Sequence, residues 1–211
     1  MIYIQKKQEP RKLLGYRKHP DASFDAMDAD VKEQLRESLL SEQGHLCAYC
    51  MCQLSEKGDV KIEHWEPRNS NNELDYNNLL AVCRGNEGHP AREQTCDTKK
   101  GNTVISVSPL KRSQMECIYY TLDGKIHSRD PVADNDIQCV LNLNKENGNP
   151  LRGRKVALKT FQNKLQKYKN DKSTKAFLEK MQKKYEANTE KMLPYIGILR
   201  WYINKKLKRY M

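Results

Sequence analysis

The sequence predicts an α+β chain: a small metal-braced core of short strands and a short helix, with one helix before it and a basic helical region after it. Three observations predict this. A Cys-x-x-Cys, Cys47 and Cys50, and two later cysteines, Cys83 and Cys96, bracket one stretch of the chain. Inside that bracket the apolar runs have strand length. From Val156 onward, apolar residues recur at three- and four-residue spacing among lysines, as on one face of a helix.

Composition narrows the class. The chain has 211 residues, of which 37% are hydrophobic and 31% charged. That length suits one domain with an appendage, or two small ones, around a modest core. No apolar run approaches the ~18 residues needed to span a bilayer. The start, MIYIQKKQEPRKLL, lacks the apolar centre of a signal peptide. A cytoplasmic protein without membrane association is expected. Seven cysteines in a reducing compartment do not make a disulfide framework. Cys52, Cys117 and Cys139 fall outside the metal-ligand spacing and are expected as small buried apolar residues. Net charge is +11, and residues 151–211 hold 18 Lys and Arg against 4 Asp and Glu, whereas residues 1–150 hold 20 against 23. Such a tail attracts a polyanion such as nucleic acid, or an acidic protein surface.

Four segments are expected: 1–44, 45–103, 104–150 and 151–211. Residues 1–27 read as irregular, broken by Pro10, Gly15 and Pro20. Asp30 to Gln43 reads as a helix with Val31, Leu35 and Leu39 on one face, Asp30 as its cap and Gly44 as its terminator. Cys47 to His64 reads as two short strands joined by a turn at Ser55 to Asp59, with Val60 and Ile62 alternating against Lys61 and Glu63. Asn78 to Cys83 carries the apolar run Leu79-Leu80-Ala81-Val82, and Arg84 to Thr95 is a polar insert. Asp97 begins a short helix that Gly101 ends. Val104 to Val107 is expected as a strand, and Asp123-Gly124 as the turn of a hairpin. Pro131 to Pro150 reads as a linker. Helices follow, with stripes at Leu158, Phe161, Leu165 and Tyr168, at Phe177, Met181 and Tyr185, and, after Pro194, at Ile196, Leu199, Ile203 and Leu207.

The chemistry sits in the bracketed stretch. Zinc favours four thiolates in a tetrahedron, and a Cys-x-x-Cys presents two sulfurs to one ion. Cys47, Cys50, Cys83 and Cys96 are the expected ligands, with His89 and Cys52 competing for the second pair. Such a site has no open position for water, so its zinc is structural. His64 follows Glu63 at a strand end. A neutral imidazole can take a proton from water, and phosphodiester hydrolysis also needs a divalent cation to stabilise the leaving group. Glu63 and Asp97 offer carboxylates and Asn78 an amide oxygen, the donors that Mg²⁺ or Mn²⁺ prefer.

Glu63-His64-x-x-Pro67, then Asn78-Leu79, then Cys96-Asp97-x-x-Lys100, framed by Cys47-x-x-Cys50 and Cys83, resembles the HNH endonuclease motif. The resemblance implies a ββα-metal fold with His64 as general base, Glu63 as a metal ligand and Asn78 bracing the loop between the strands. Asp97 takes the third motif position as a second ligand, where the family often has His or Asn. Leu39 to Cys50, and Leu141-Asn142-Leu143-Asn144 followed by Arg152 and Arg154, resemble the PtuB branch of the Septu anti-phage system, also found as retron effectors. That branch implies a PtuA-type ABC/SMC ATPase as partner, and a retron reverse transcriptase with its DNA as a further one. The expected function is metal-dependent cleavage of DNA or RNA in anti-phage defence. The alternative is a zinc-stabilised nucleic-acid or protein-binding module that cuts nothing.

Overall fold

The central hairpin packs on both faces, one apolar and one carrying a buried charge. The computed structural model describes residues 1–55, 60–187 and 190–210. Strand β1 (Val60–His64) pairs antiparallel with β2 (Leu79–Cys83), with Glu63 opposite Leu80 and His64 opposite Leu79. Alternation along a strand sends Lys61 and Glu63 to one face. That face meets helix α3 (Cys96–Lys100), where Lys61 pairs with Asp97 at 2.8 Å and Glu63 with Lys100 at 2.8 Å. Glu63 is the buried residue of β1, while Val60 and Ile62 are half-buried. Val60 and Ile62 pack against the hydrophobic core as the alternation implies, but a period-two reading does not foresee that Glu63 on the other face is buried with a lysine partner.

Helix α1 (Arg11–Tyr16) interrupts the segment expected to be irregular, and α2 (Ala29–Glu42) follows it. Val31, Leu35 and Leu39 of α2 are buried as their spacing predicts. The residue before the first turn is Asp28 rather than Asp30, and Gly44 takes the left-handed conformation at φ +60°. Past the helix end, the Gln43 side chain bonds both the N–H and the carbonyl of Ala81, at 2.8 Å each. It thereby acts as a one-residue strand on the open edge of β2.

Cys47 to Ser55 forms a tight knuckle in place of a strand, with one isolated bridge between Leu46 and Gln53. The turn expected at Ser55 to Asp59 lies, past Ser55, outside the described residues. Val104 to Val107 is irregular, held where the Asp136 carboxylate accepts from the N–H groups of Ser106 and Val107. The short helix α4 (Arg112–Glu116) leads into the expected hairpin, β3 (Ile118–Tyr120) with β4 (Ile126–Ser128).

The stretch expected as a linker is a structural hub. It holds α5 (Pro131–Asn135), a π-helical turn over Asp136–Val140, and fully buried Ile137, Leu141 and Leu143. Asn144 bonds the N–H and the carbonyl of Ile126, and its Oδ1 also accepts from Arg154. A run rich in Asn and Asp reads as solvated, yet here the amides and carboxylates bond backbone groups that sheets and helices leave over.

Three helices close the chain: α6 (Asn149–Leu165), α7 (Asp171–Glu186) and α8 (Ile196–Leu207). Phe161 of α6 stacks on Phe177 and meets Tyr202 edge-on, at centroid distances of 5.9 and 6.0 Å. Leu165 is half-buried, and Tyr168 lies exposed against Phe177. Gly197 lets α8 approach closely, since a Cβ there would lie 2.6 Å from both Met51 and the Tyr120 hydroxyl. The basic region is therefore part of the body of the protein. Buried side chains from the N-terminal segment to α8 join one hydrophobic cluster. All seven cysteines are free, but Cys52 and Cys117 are only half-buried and Cys139 is exposed, contrary to expectation.

Arg154 ties this hub to α6. It is 1% exposed and donates to Gly124 O, Leu143 O and Asn144 Oδ1 at 2.6 to 2.8 Å. Arg154→Ala strands two buried carbonyls and leaves a cavity. It is expected to lower unfolding stability by roughly 2–4 kcal/mol, measured by denaturant titration.

Candidate active site and cysteine cluster

The local fold explains how cysteines so unevenly spaced can meet. Cys47 and Cys50 lie on the knuckle, where the Met51 N–H donates to the Cys47 carbonyl at 3.0 Å. Cys83 ends β2 and Cys96 begins α3. Between them, residues 84–95 form a loop closed at its neck by Thr95 N–H donating to Gly85 O at 2.9 Å. Gly85 has φ +53°, and a Cβ there would lie 2.0 Å from the Thr95 carbonyl oxygen. Cys96 is held from the other side by Leu141 O, which accepts its N–H at 2.9 Å. Asn142 Nδ2 donates to Gln94 O at 2.9 Å.

The result is a group of four sulfurs, on Cys47, Cys50, Cys83 and Cys96, all within 4.8 Å of one another. The closest separations are 3.8 Å for Cys50–Cys83 and for Cys83–Cys96, and 4.0 Å for Cys47–Cys96. A disulfide would need about 2.05 Å. The edge of a tetrahedron with ~2.3 Å zinc–sulfur bonds is about 3.8 Å. The four thiols can thus hold a metal such as zinc. His89 is exposed on the loop, and Cys52 stays outside the group while its N–H points at Cys50 Sγ.

Beside this cluster, β1 and α3 bring Glu63 and Asp97 together. The two carboxyls are close enough to shift one another's ionisation. Tyr49, inside the Cys-x-x-Cys, donates its hydroxyl to Glu63 Oε1 at 3.0 Å. Burial pushes the Glu63 carboxyl up to about 8, and the adjoining Asp97 adds to this against the pull of Lys100. Asp97 is held below its ordinary value: burial opposes this, but contacts with Glu63 and Lys61 outweigh it. Lys100 is almost fully buried and also donates to His64 O at 3.1 Å.

His64, the last residue of β1, is half-buried. Its Nε2 lies 2.9 Å from Glu73 O. A carbonyl can only accept, so Nε2 carries the proton and Nδ1 keeps its lone pair. Phe24 meets the ring edge-on at 4.6 Å, and the Phe24 N–H donates to the Glu73 carboxylate at 3.0 Å. Burial lowers the His64 pKa from the ordinary imidazole value. The Glu73 carbonyl opposes this and the charge of Arg68 reinforces it, so the ring is neutral at pH 7. Asn78 is buried, and its amide accepts from Glu66 N–H at 2.8 Å and donates to Glu66 O at 3.1 Å. Both ends of that amide are engaged in holding the loop after β1.

The structure therefore brings together Glu63, Asp97 and the four cysteines, with His64 next on the strand and Asn78 behind it. Lys61, Tyr49, Glu73 and Phe24 were not foreseen in this site, and Lys100, though part of the quoted motif, had no role assigned to it. Lys100 had a signal, since it stands one helical turn after Cys96 and so on the same face. Phe24 and Glu73 had none, because they arrive from loops.

No known family profile matches the chain. Two bacterial proteins named as candidate HNH endonucleases of retrons are similar to it. One, of retron Ec83 from Escherichia coli, is 30% identical over 98 residues, covering 40% of this chain and 38% of the relative. The other, of retron Vc95 from Vibrio cholerae serotype O1 biovar El Tor, is 26% identical over 140 residues, covering 61% of this chain and 66% of the relative. The chain spans less than two thirds of the length of either. Among the described residues no helix is long and apolar enough to cross a membrane.

Elemental analysis of gently purified protein is expected to find one tightly held zinc per chain. Cys47→Ser or strong chelation should lower Tm steeply, because a closed metal site contributes folding energy directly. An unchanged Tm would argue against a metal in the cluster. Gly85→Ala is expected to cost roughly 1–3 kcal/mol and to reduce the zinc content, since the neck that aligns Cys83 and Cys96 must open.

Proposed function

We propose that this protein is an HNH-type, metal-dependent endonuclease that hydrolyses phosphodiester bonds of nucleic acid, with β1, β2 and α3 as its ββα-metal unit. The observation that carries this reading is His64. It is a neutral imidazole with Nδ1 left free by the Glu73 carbonyl, one residue from a buried carboxylate that adjoins a second one. His64 accepts a proton from the attacking water at Nδ1, and the Glu73 carbonyl holds the tautomer and steadies the charged ring. Glu63 and Asp97 form a hard-oxygen donor pair that fits Mg²⁺ or Mn²⁺. When bound, such a cation supplies positive charge toward the scissile phosphate and the leaving oxygen. Lys61 and Lys100 neutralise the same carboxylates from the protein side. Asn78 keeps the loop after His64 in place, and the four-cysteine cluster, filled by zinc, is structural.

The wider setting rests on resemblance and on the names of the relatives. In that setting the protein is a cytoplasmic effector of anti-phage defence, of the PtuB branch. A PtuA-type ATPase of the ABC/SMC type restrains it, and a retron reverse transcriptase with its DNA is a further partner. One observation favours a second reading, a zinc-stabilised binding module without cleavage: each carboxylate already has a lysine partner, so the pair is electrostatically satisfied without a cation.

The test is a cleavage assay with Mg²⁺ or Mn²⁺ on plasmid DNA and on total transfer RNA, with and without the neighbouring ATPase. His64→Ala is expected to reduce the rate by roughly 10²–10⁴ while leaving Tm and zinc content near the wild-type values. Absence of cleavage by the wild type under every condition, with the partner present and activated, would turn the assignment to the binding module.

A further inference from the structure

A second site lies away from His64, between α4, β3 and the outer face of α8. A groove of about 430 Å³ is lined there by Arg112, Arg129, Lys205 and Lys208, with Tyr3 and Trp201 among its walls. Arg200 also borders it but is engaged by the Tyr185 carbonyl. Glu116 is the one carboxylate that lines it. The four cations are exposed, and among the described residues none of them forms an ion pair. Two of them stand over rings: Arg112 is 4.5 Å from the Tyr3 centroid and Lys205 is 5.0 Å from that of Trp201. Elsewhere surface cations do find acids, as Lys155 does with Glu146 and Lys175 with Glu179. Four cations gathered in a concavity with a single carboxylate leave it net positive, and an anion relieves the repulsion among them.

We propose that this groove docks a single strand of nucleic acid, with Arg112, Arg129, Lys205 and Lys208 on its phosphates and Tyr3 and Trp201 as stacking walls. The combination of a basic track with flat aromatic surfaces is the chemistry that holds single strands without reading their sequence. The two rings offer faces to unstacked bases, which a duplex keeps stacked on one another. The track also leads toward the catalytic edge. Lys111, next to Arg112, stands 5.3 Å from the Trp65 centroid, and Trp65 directly follows His64. The groove goes beyond the nuclease reading and does not depend on it, because binding is measured without cleavage.

The experiment is fluorescence anisotropy of a labelled 20-nucleotide single strand with the full-length protein, no divalent cation added, over a range of salt. A variant with Arg112, Arg129, Lys205 and Lys208 all changed to Ala is compared with one lacking four exposed lysines of α7: Lys172, Lys180, Lys183 and Lys184. Both lose the same charge. The groove variant is expected to bind at least about tenfold more weakly, with its log–log salt slope smaller by about 3, at ~0.7 per phosphate contact. The α7 variant should bind nearly as the wild type does. The double variant Arg129→Ala/Lys208→Ala, which touches no ring contact, should lose about half of that slope and keep its Tm. Equal loss in the groove and α7 variants would overturn the proposal in favour of net charge alone. A duplex of the same length bound as tightly as the single strand would overturn it too. So would unchanged strand binding in the groove variant together with lost copurification of the ATPase, which would make the groove a protein interface.

Discussion

Four sulfurs converging on one point is the constraint from which the rest of the core follows. The four cysteines come from three pieces of local structure: the knuckle supplies two, the end of β2 one and the start of α3 one. Holding four thiols within 4.8 Å of one another, as a metal such as zinc would, constrains the angle between hairpin and helix. That angle lays α3 across the charged face of β1. Asp97 and Lys100 then meet Lys61 and Glu63, and the carboxylate pair exists because the thiols have placed its two members. A core this small and this charged could not fix the angle by apolar burial alone.

The Asn-rich segment before α6 serves the same centre from outside. Leu141 holds the backbone of Cys96, Asn142 holds the loop that leads to it, and Asn144 passes the connection to β4 and to Arg154. The C-terminal region is coupled as well, for Met192 N–H donates to Gly44 O and Tyr195 N–H to Met51 O. Changes in the distant helices therefore reach the knuckle through backbone hydrogen bonds.

The region around His64 is built differently. Its ring is set by a carbonyl, a phenyl ring and a carboxylate from two loops, residues 19–25 and 69–75. Phe24 and Leu74 of these loops pack against the hydrophobic core. The candidate base is thus mounted on a strand and oriented by residues of two loops.

By itself the sequence determined the mixed α+β class, the cysteines that come together, the helix Val31 to Leu39 packs through, the hairpin at Asp123-Gly124 and the apolar stripe of α8. These are written in spacing, and spacing acts locally: a Cys-x-x-Cys, a turn dipeptide and a three-four repeat each need only neighbouring residues. Tertiary structure alone decided that Glu63 of β1 is buried against Lys100, that the apparent linker is a hub, and that Cys139 is exposed. It also recruited Lys61, Lys100, Glu73 and Phe24 to the site. The reason is common to all of these. Burial of a charge or an amide depends on a partner far away in the chain, and nothing in the local pattern of residues names that partner.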